Sequence, residues 1–202
     1  MLENSTSQLQ LIDKNFVDLI WENQPKIQYT DIFDHPTSFA GQGRSEKLDI
    51  LKKFLDQNEI DHYFVSGLDN IAWLLNLRAD DIKYTPLLYS YLLISKNNKH
   101  SLYIKESAMP EILKKEIQTL ININNIENIR SIFNNINSSE SIGLDFNSTT
   151  YYFLDLLRKQ KINTKNLANP CILLKAIKNE TELDGAKKAH IRDGVSITKY
   201  IY

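Results

Sequence analysis

The chain has 202 residues, 42% of them hydrophobic and 24% charged, and its 24 Lys and Arg against 25 Asp and Glu leave a net charge of -1. These proportions exclude a disordered tail, a collagen-like fibre and a membrane bundle, and so small a charge supplies no basic field for a nucleic-acid backbone. The lone Cys171 excludes an internal disulfide and a multi-cysteine metal site, and with no secretory start after Met1 and no apolar run of the roughly 18 residues a membrane span needs, a cytoplasmic location is expected.

Gln8 to Trp21 carries a cluster of apolar positions, and the stretch from Pro25 through Pro36, Gly41 and Gly43 has no clear period and reads as a linker. From Ser45, a candidate N-cap, Leu48, Leu51, Phe54 and Leu55 fall at helical spacing as far as Gln57. Asp61 to Ser66 is an aromatic and β-branched run stopped by Gly67, the pattern of a buried strand, and Asp69 to Leu75 suits a short helix. Leu87 to Ile94 and Ser101 to Ile104 are expected to pair as a hairpin around the polar turn Ser95 to His100. Two helices are expected at Pro110 to Leu120 and Asn125 to Ile136, the second on the stripe Ile126, Ile129, Phe133 and Ile136. A strand at Ser141 to Asp145 and a helix from Ser148 to Gln160 follow, and the interleaving gives an α/β fold with a mixed sheet.

At the C-terminus Asn179 stands three residues before Glu182, the spacing of a capping box. Leu183, Ala186, His190, Ile197 and Ile201 then trace one helical face, widened by Ile191 and Val195, and no stop signal precedes Tyr202. A helix this apolar needs a partner, so further structure is expected beyond it in the intact protein.

Few residues suggest chemistry. The four histidines are scattered; His190 and Asp193 share a helix face but read as a structural contact, and His62 opens an apolar strand. Gly41-Gln42-Gly43 before a helix is half of a phosphate-cradling fingerprint, with Glu46 where a third glycine belongs, and reads as a turn. Cys171, followed by Ile172, Leu173 and Leu174, suits a buried inert thiol. The remaining cluster is Trp73, Asn76 and Arg78, with Asp80 and Asp81 close by. It offers a polar contact surface at a helix end; the alternative is a core Trp73 and an Arg78 paired with a neighbouring carboxylate.

The same stretch carries a resemblance. GLDNIAWLLNLRADDIKYTPLLYSYLLI (Gly67 to Ile94) resembles the middle domain of the three-domain aminopeptidase P, or Xaa-Pro aminopeptidase, family. FVDLIWENQP (Phe16 to Pro25) resembles the end of that family's first domain, and KAIKNETELDGAKKAHIRDG (Lys175 to Gly194) the entry to its catalytic domain. The resemblance implies a creatinase N-terminal-like α/β domain, a mixed β-sheet with helices on both faces. It also implies a division into 1–44 (end of the first domain and linker), 45–175 (middle domain) and 176–202 (first helix of a truncated catalytic domain). The family's catalytic domain removes an N-terminal residue that precedes proline, using two divalent metals, often manganese, held by five ligands. None of those ligands falls on a residue here, so no catalytic or metal residue is assigned and this chain alone is expected to be inactive. Trp73, Asn76 and Arg78 become candidates for interdomain or substrate-side contacts. The implied partners are the missing catalytic domain and, for the whole enzyme, a proline-containing peptide; exposed apolar surface on the last helix is expected to promote self-association. The competing expectation is a stand-alone protein- or peptide-binding module, since the fold also resembles domains of the FACT histone chaperone, but no run of five acidic residues is present. A creatine or dipeptide hydrolase relative shares the fold and fits the IAWLLNLR stretch less well.

Overall fold

The structure is a computed structural model that describes residues 10, 12, 14–97 and 99–202. Helix α1 (Phe16–Ile20) is capped by the Asn15 side chain and buries none of its residues; Gln8, Leu9, Leu11 and Asp13 of the apolar stretch expected there lie outside the described residues. Strand β1 (Phe33–Asp34) and the single turn α2 (Thr37–Ala40) lead into α3 (Arg44–Gln57). Then come β2 (His62–Val65), α4 (Leu68–Leu75), β3 (Leu77–Arg78), β4 (Tyr91–Ser95) and β5 (Ser101–Ile104). The second half contains α5 (Glu111–Gln118), β6 (Asn122–Asn125), β7 (Ser141–Leu144), α6 (Tyr151–Lys159) and β8 (Asn163–Asn166). It closes with α7 (Pro170–Ala176) and α8 (Glu180–Ile201).

Six strands form one mixed sheet in the order β6-β5-β4-β2-β7-β8. The expected hairpin of β4 and β5 is antiparallel, with Leu92 opposite Leu102, and β4 is also antiparallel to β2. The pairs β5 with β6, β2 with β7 and β7 with β8 are parallel. Because side chains alternate across a strand, β2 sends Tyr63 and Val65 to one face and Phe64 to the other. The first face joins Leu51 and Leu55 of α3, Leu74 and Leu75 of α4, Ile117 of α5 and Cys171 of α7 in one apolar core. The second packs Phe64, Leu93 and Ile142 under Phe133, Phe153 and Leu157. Phe64 and Phe153 stand 4.7 Å apart between ring centres, within the range of favourable aromatic pairs. The α/β sheet therefore carries helices on both faces, as expected.

Two local expectations are corrected. Asn125 to Ile136 is not an α-helix: Asn122–Asn125 forms the edge strand β6, and Ile126–Ser131 is a 3-10 turn in which Asn128 leaves helical geometry. There the Asn125 side chain accepts from Glu127 N and the Ser131 hydroxyl donates to Asn128 O, and such side-chain bonds compete with helix continuation. Of Leu87 to Ile94, only the part from Tyr91 onward is strand. Ahead of α3, Ile32 and Ala40 are buried and Ile32 N donates to Ala108 O at 2.8 Å, so this aperiodic stretch is fastened along the body.

Candidate functional site

The end of α4 gathers the three residues that the sequence singled out. Asn76, in the left-handed region at φ 51°, turns the chain out of the helix, and its backbone N–H closes onto Ala72 O and Trp73 O. A helix end leaves carbonyls unpaired and carries partial negative charge, so cations are favoured there. Three supply it. Arg78 donates through Nη1 to Ala72 O at 2.7 Å and to Leu77 O at 2.9 Å; Lys47 donates through Nζ to Trp73 O at 2.8 Å; Arg44 donates through Nε to Leu75 O at 2.9 Å. Arg78 thus caps the helix that precedes it and, among the described residues, pairs with no carboxylate, unlike the pairing weighed from the sequence. Arg44 turns the rest of its guanidinium to Asp34 and Glu116, which places its charge between α3, β1 and α5.

Lys47 is the residue sequence reasoning missed. Only 1% exposed, it also donates to Asn76 Oδ1 at 2.8 Å, and its Nζ lies 4.2 Å from the centre of the Trp73 ring. A cation held over an indole face in a dry site gains from the ring quadrupole. Burial is the largest influence on the amine and pushes it down to about 8, while Glu182 acts in the opposite direction. The available signal was positional: residue 47 falls with Leu48, Leu51 and Leu55 on the buried side of α3.

From this knot the contacts run to the start of α8. Trp73 Nε1 donates to Glu182 Oε1 at 3.3 Å, and Asn76 Nδ2 donates to Gln42 O at 2.9 Å. The expected capping box is complete: Glu182 N donates to Asn179 Oδ1 at 2.9 Å and Asn179 N donates to Glu182 Oε2 at 3.0 Å. Asn179 Nδ2 also reaches Ala40 O at 2.8 Å. Gly41, with φ 70°, makes room for that side chain, since a Cβ there would stand 2.3 Å from Asn179 Oδ1. The Gly41-Gln42-Gly43 turn therefore serves as a seat for the C-terminal helix. The bonds of Lys47, Trp73, Asn76 and Glu182 link α3, α4 and α8 to one another.

The other candidates are placed apart. Cys171 is fully buried, which raises its thiol to about 12. His190 Nδ1 lies 2.8 Å from Ala186 O on the exposed side of α8 and makes no hydrogen bond or ion pair with Asp193. His62 lies on the opposite face of the sheet from the knot. Among the described residues no group of three or more His, Cys, Asp or Glu side chains could hold a metal ion, so this stretch does not fit the donor set of a dinuclear centre. Among them, too, no helix is long and apolar enough to cross a membrane.

Residues 23–182 match the family model described as the Creatinase/Prolidase N-terminal domain. A "Probable Xaa-Pro aminopeptidase P" of Sordaria macrospora is 34% identical over 206 residues, covering 96% of this chain and 33% of that protein. One from Ajellomyces dermatitidis is 31% identical over 212 residues, covering 98% of this chain and 34% of its own length. Among solved structures, the X-prolyl aminopeptidase of Caenorhabditis elegans, described as a cytosolic enzyme with a di-nuclear active site, superposes with a TM-score of 0.85 at 24% identity, over 94% of this chain and 32% of that one. The chain thus spans about a third of the length of the curated relatives it matches.

Proposed function

The chain belongs to the family of creatinase and prolidase N-terminal domains, and from that premise we propose that it is the non-catalytic scaffold of an Xaa-Pro aminopeptidase, a dinuclear metallopeptidase that removes an N-terminal residue followed by proline. In this reading 1–44 is the end of a first domain and a linker, 45–175 the middle domain, and 176–202 the first helix of a catalytic domain. The two divalent metals, manganese among the candidates, belong to the remainder of the polypeptide. So does the chemistry on the proline-containing peptide, and the working compartment is the cytoplasm. Trp73 and Asn76, with Lys47, act as interdomain positioning residues, and Arg78 fixes the helix end they rest on.

The observation that carries this reading is α8. Its first turn is tied to Trp73 and Ala40, yet none of its 22 residues is buried. Leu183, Ile191, Val195, Ile197 and Ile201 all stand exposed. An anchored helix with an uncovered apolar face is what the entry to a larger neighbour requires. Two experiments test the proposal. The purified chain is expected to show no turnover of an Xaa-Pro peptide with manganese present, and turnover above background would overturn the scaffold role. A chimera placing this chain before the remaining two-thirds of a related Xaa-Pro aminopeptidase P is expected to cleave such a peptide. A folded but inactive chimera, or one that binds peptide without cleaving it, would favour the binding-module alternative.

A further inference from the structure

On the face of the sheet away from the Lys47 knot, the ends of β2, β4, β5 and β6 and the loop before β7 enclose a cavity of about 730 Å³. Its floor holds His62, only 6% exposed. Nδ1 of this imidazole lies 2.9 Å from Ser95 Oγ. Nε2 is the one buried side-chain nitrogen or oxygen among the described residues that has no hydrogen-bond partner. Among the described residues the Ser95 hydroxyl has no other acceptor, which assigns it as donor to Nδ1 and the ring proton to Nε2. Opposite stands Glu140 Oε2 at 3.6 Å, too far for a hydrogen bond. That oxygen already accepts from Asn137 N and Nδ2, and Oε1 of the same carboxylate has no hydrogen-bond partner among the described residues. A buried donor left open costs free energy comparable to a lost hydrogen bond, and a donor and an acceptor held just out of reach of each other suit a group that accepts from one and donates to the other. A hydroxyl does both.

The rest of the lining is of the same kind. Asn122, Asn135 and Ser101 line the cavity with no side-chain hydrogen bond among the described residues, and Asn124 and Asn137 add two more amides. Side-chain amides both donate and accept, as hydroxyls do. Leu93, Tyr103 and Ile136 supply an apolar patch beside them. The formal charges at the wall, Lys99 and Glu140, oppose each other and favour an uncharged guest. We infer that this cavity binds a small neutral polyhydroxylated molecule of the saccharide class, one hydroxyl bridging His62 Nε2 and the Glu140 carboxylate and others meeting Asn122 and Asn135. Glu140 stands on a loop and is partly exposed, so its carboxylate is open to that hydroxyl.

The test is a titration of the 202-residue chain followed by amide NMR shifts, with glucose as the probe to about 20 mM, a range that reports millimolar binding. Glycyl-proline and inorganic phosphate serve as charged comparators. Saturable shifts confined to the surroundings of His62, Ser95, Ser101, Asn122 and Asn135 are expected with glucose and not with the comparators. His62→Gln is expected to weaken binding at least about tenfold. Because His62 is buried, the rim variant Asn122→Leu with Asn135→Leu, which leaves the core intact, is expected to do the same. The inference fails if glucose gives no saturable shift, if its shifts scatter over the surface, if a charged comparator alone produces the local pattern, or if the rim variant binds like the wild type. None of these outcomes bears on the peptidase reading.

Discussion

Replacing Lys47 by methionine keeps an apolar stem of similar reach and removes the ammonium. In the native fold burial holds this amine at about 8 against an ordinary 10.5. Between those two values the unfolded chain still carries a proton that the native chain has released, so wild-type stability climbs as pH rises through this window. The gap corresponds to about 3 kcal/mol. At pH 7 the variant escapes the cost of burying a charge but leaves Asn76 Oδ1 without its donor, a penalty of about 1–3 kcal/mol. Trp73 O keeps the Asn76 amide at 3.5 Å. The two effects nearly offset, so Lys47→Met is expected to fall within about 2 kcal/mol of the wild type at neutral pH. By pH 10.5 the wild type is expected to have gained about 3 kcal/mol relative to the variant. Cys171 and the buried tyrosines, whose raised values lower stability in alkali, are common to both proteins and cancel in the difference. Urea unfolding of both proteins, followed by circular dichroism at intervals from pH 7 to pH 10.5, measures it. Parallel pH profiles would show that Lys47 does not carry a buried, depressed amine.

His100 is buried in the hairpin turn with Nδ1 accepting from Ser95 N at 3.0 Å, which requires a neutral ring, and burial lowers it to about 4. Its contribution is intact above the ordinary 6.5 and drains away as pH falls toward 4, by about 3 kcal/mol; His100→Asn, which keeps an acceptor, is expected to flatten that acid limb in urea unfolding. Gly41→Ala meets both a left-handed φ and Asn179 Oδ1, and is expected to cost about 1–3 kcal/mol and to speed proteolysis near residues 176–180. The Cys171 thiol is expected to ignore a disulfide reagent in native buffer and to react at once in denaturant; fast native labelling would contradict its burial. Asn179→Ser keeps a capping oxygen but loses the donor to Ala40 O, whereas Asn179→Ala loses both. The serine variant is expected to retain its helix signal in circular dichroism while α8 becomes protease-sensitive, and the alanine variant to lose about 1 kcal/mol more.

What could be read in the sequence followed from periodicity. β2, the β4–β5 hairpin, α5, α6 and the Asn179–Glu182 cap all announce themselves because burial on one or two faces writes a pattern of apolar residues. The edge strands do not. β6 reads NINN and β8 reads NTKN, compositions depleted in strands, and neither contains a fully buried residue. They are strands because β5 and β7 present backbone groups that need partners, and a pairing imposed by a neighbour leaves little trace in side chains. The Asn125–Ile136 misreading has the opposite cause: apolar spacing fits a helix, while the local side-chain bonds of Asn125 and Ser131 do not. α7 is short, and its signal in the sequence is confined to Asn169 and Pro170, an N-cap and first position. Within the candidate site, Trp73, Asn76 and Arg78 were legible as a cluster. Lys47 was not, because a lysine on an amphipathic helix ordinarily faces water, and what holds it inside is the end of another helix.

The junction uses the same atoms for local and long-range order. Asn179 caps α8 with its oxygen and grips Ala40 with its nitrogen; Glu182 closes the box with one carboxylate oxygen and takes the Trp73 indole with the other. A helix cap normally fixes only where a helix starts. Here the groups that set the start also bind two separate elements of the body, so the axis along which α8 leaves is set by its first turn. The remaining turns need bury nothing against the body to be aimed, which is consistent with an apolar stripe left open along their length. Lys47 completes the device from beneath. It pins the end of α4, and hence the Trp73 ring, to α3, so the surface that receives Glu182 belongs to the rigid core.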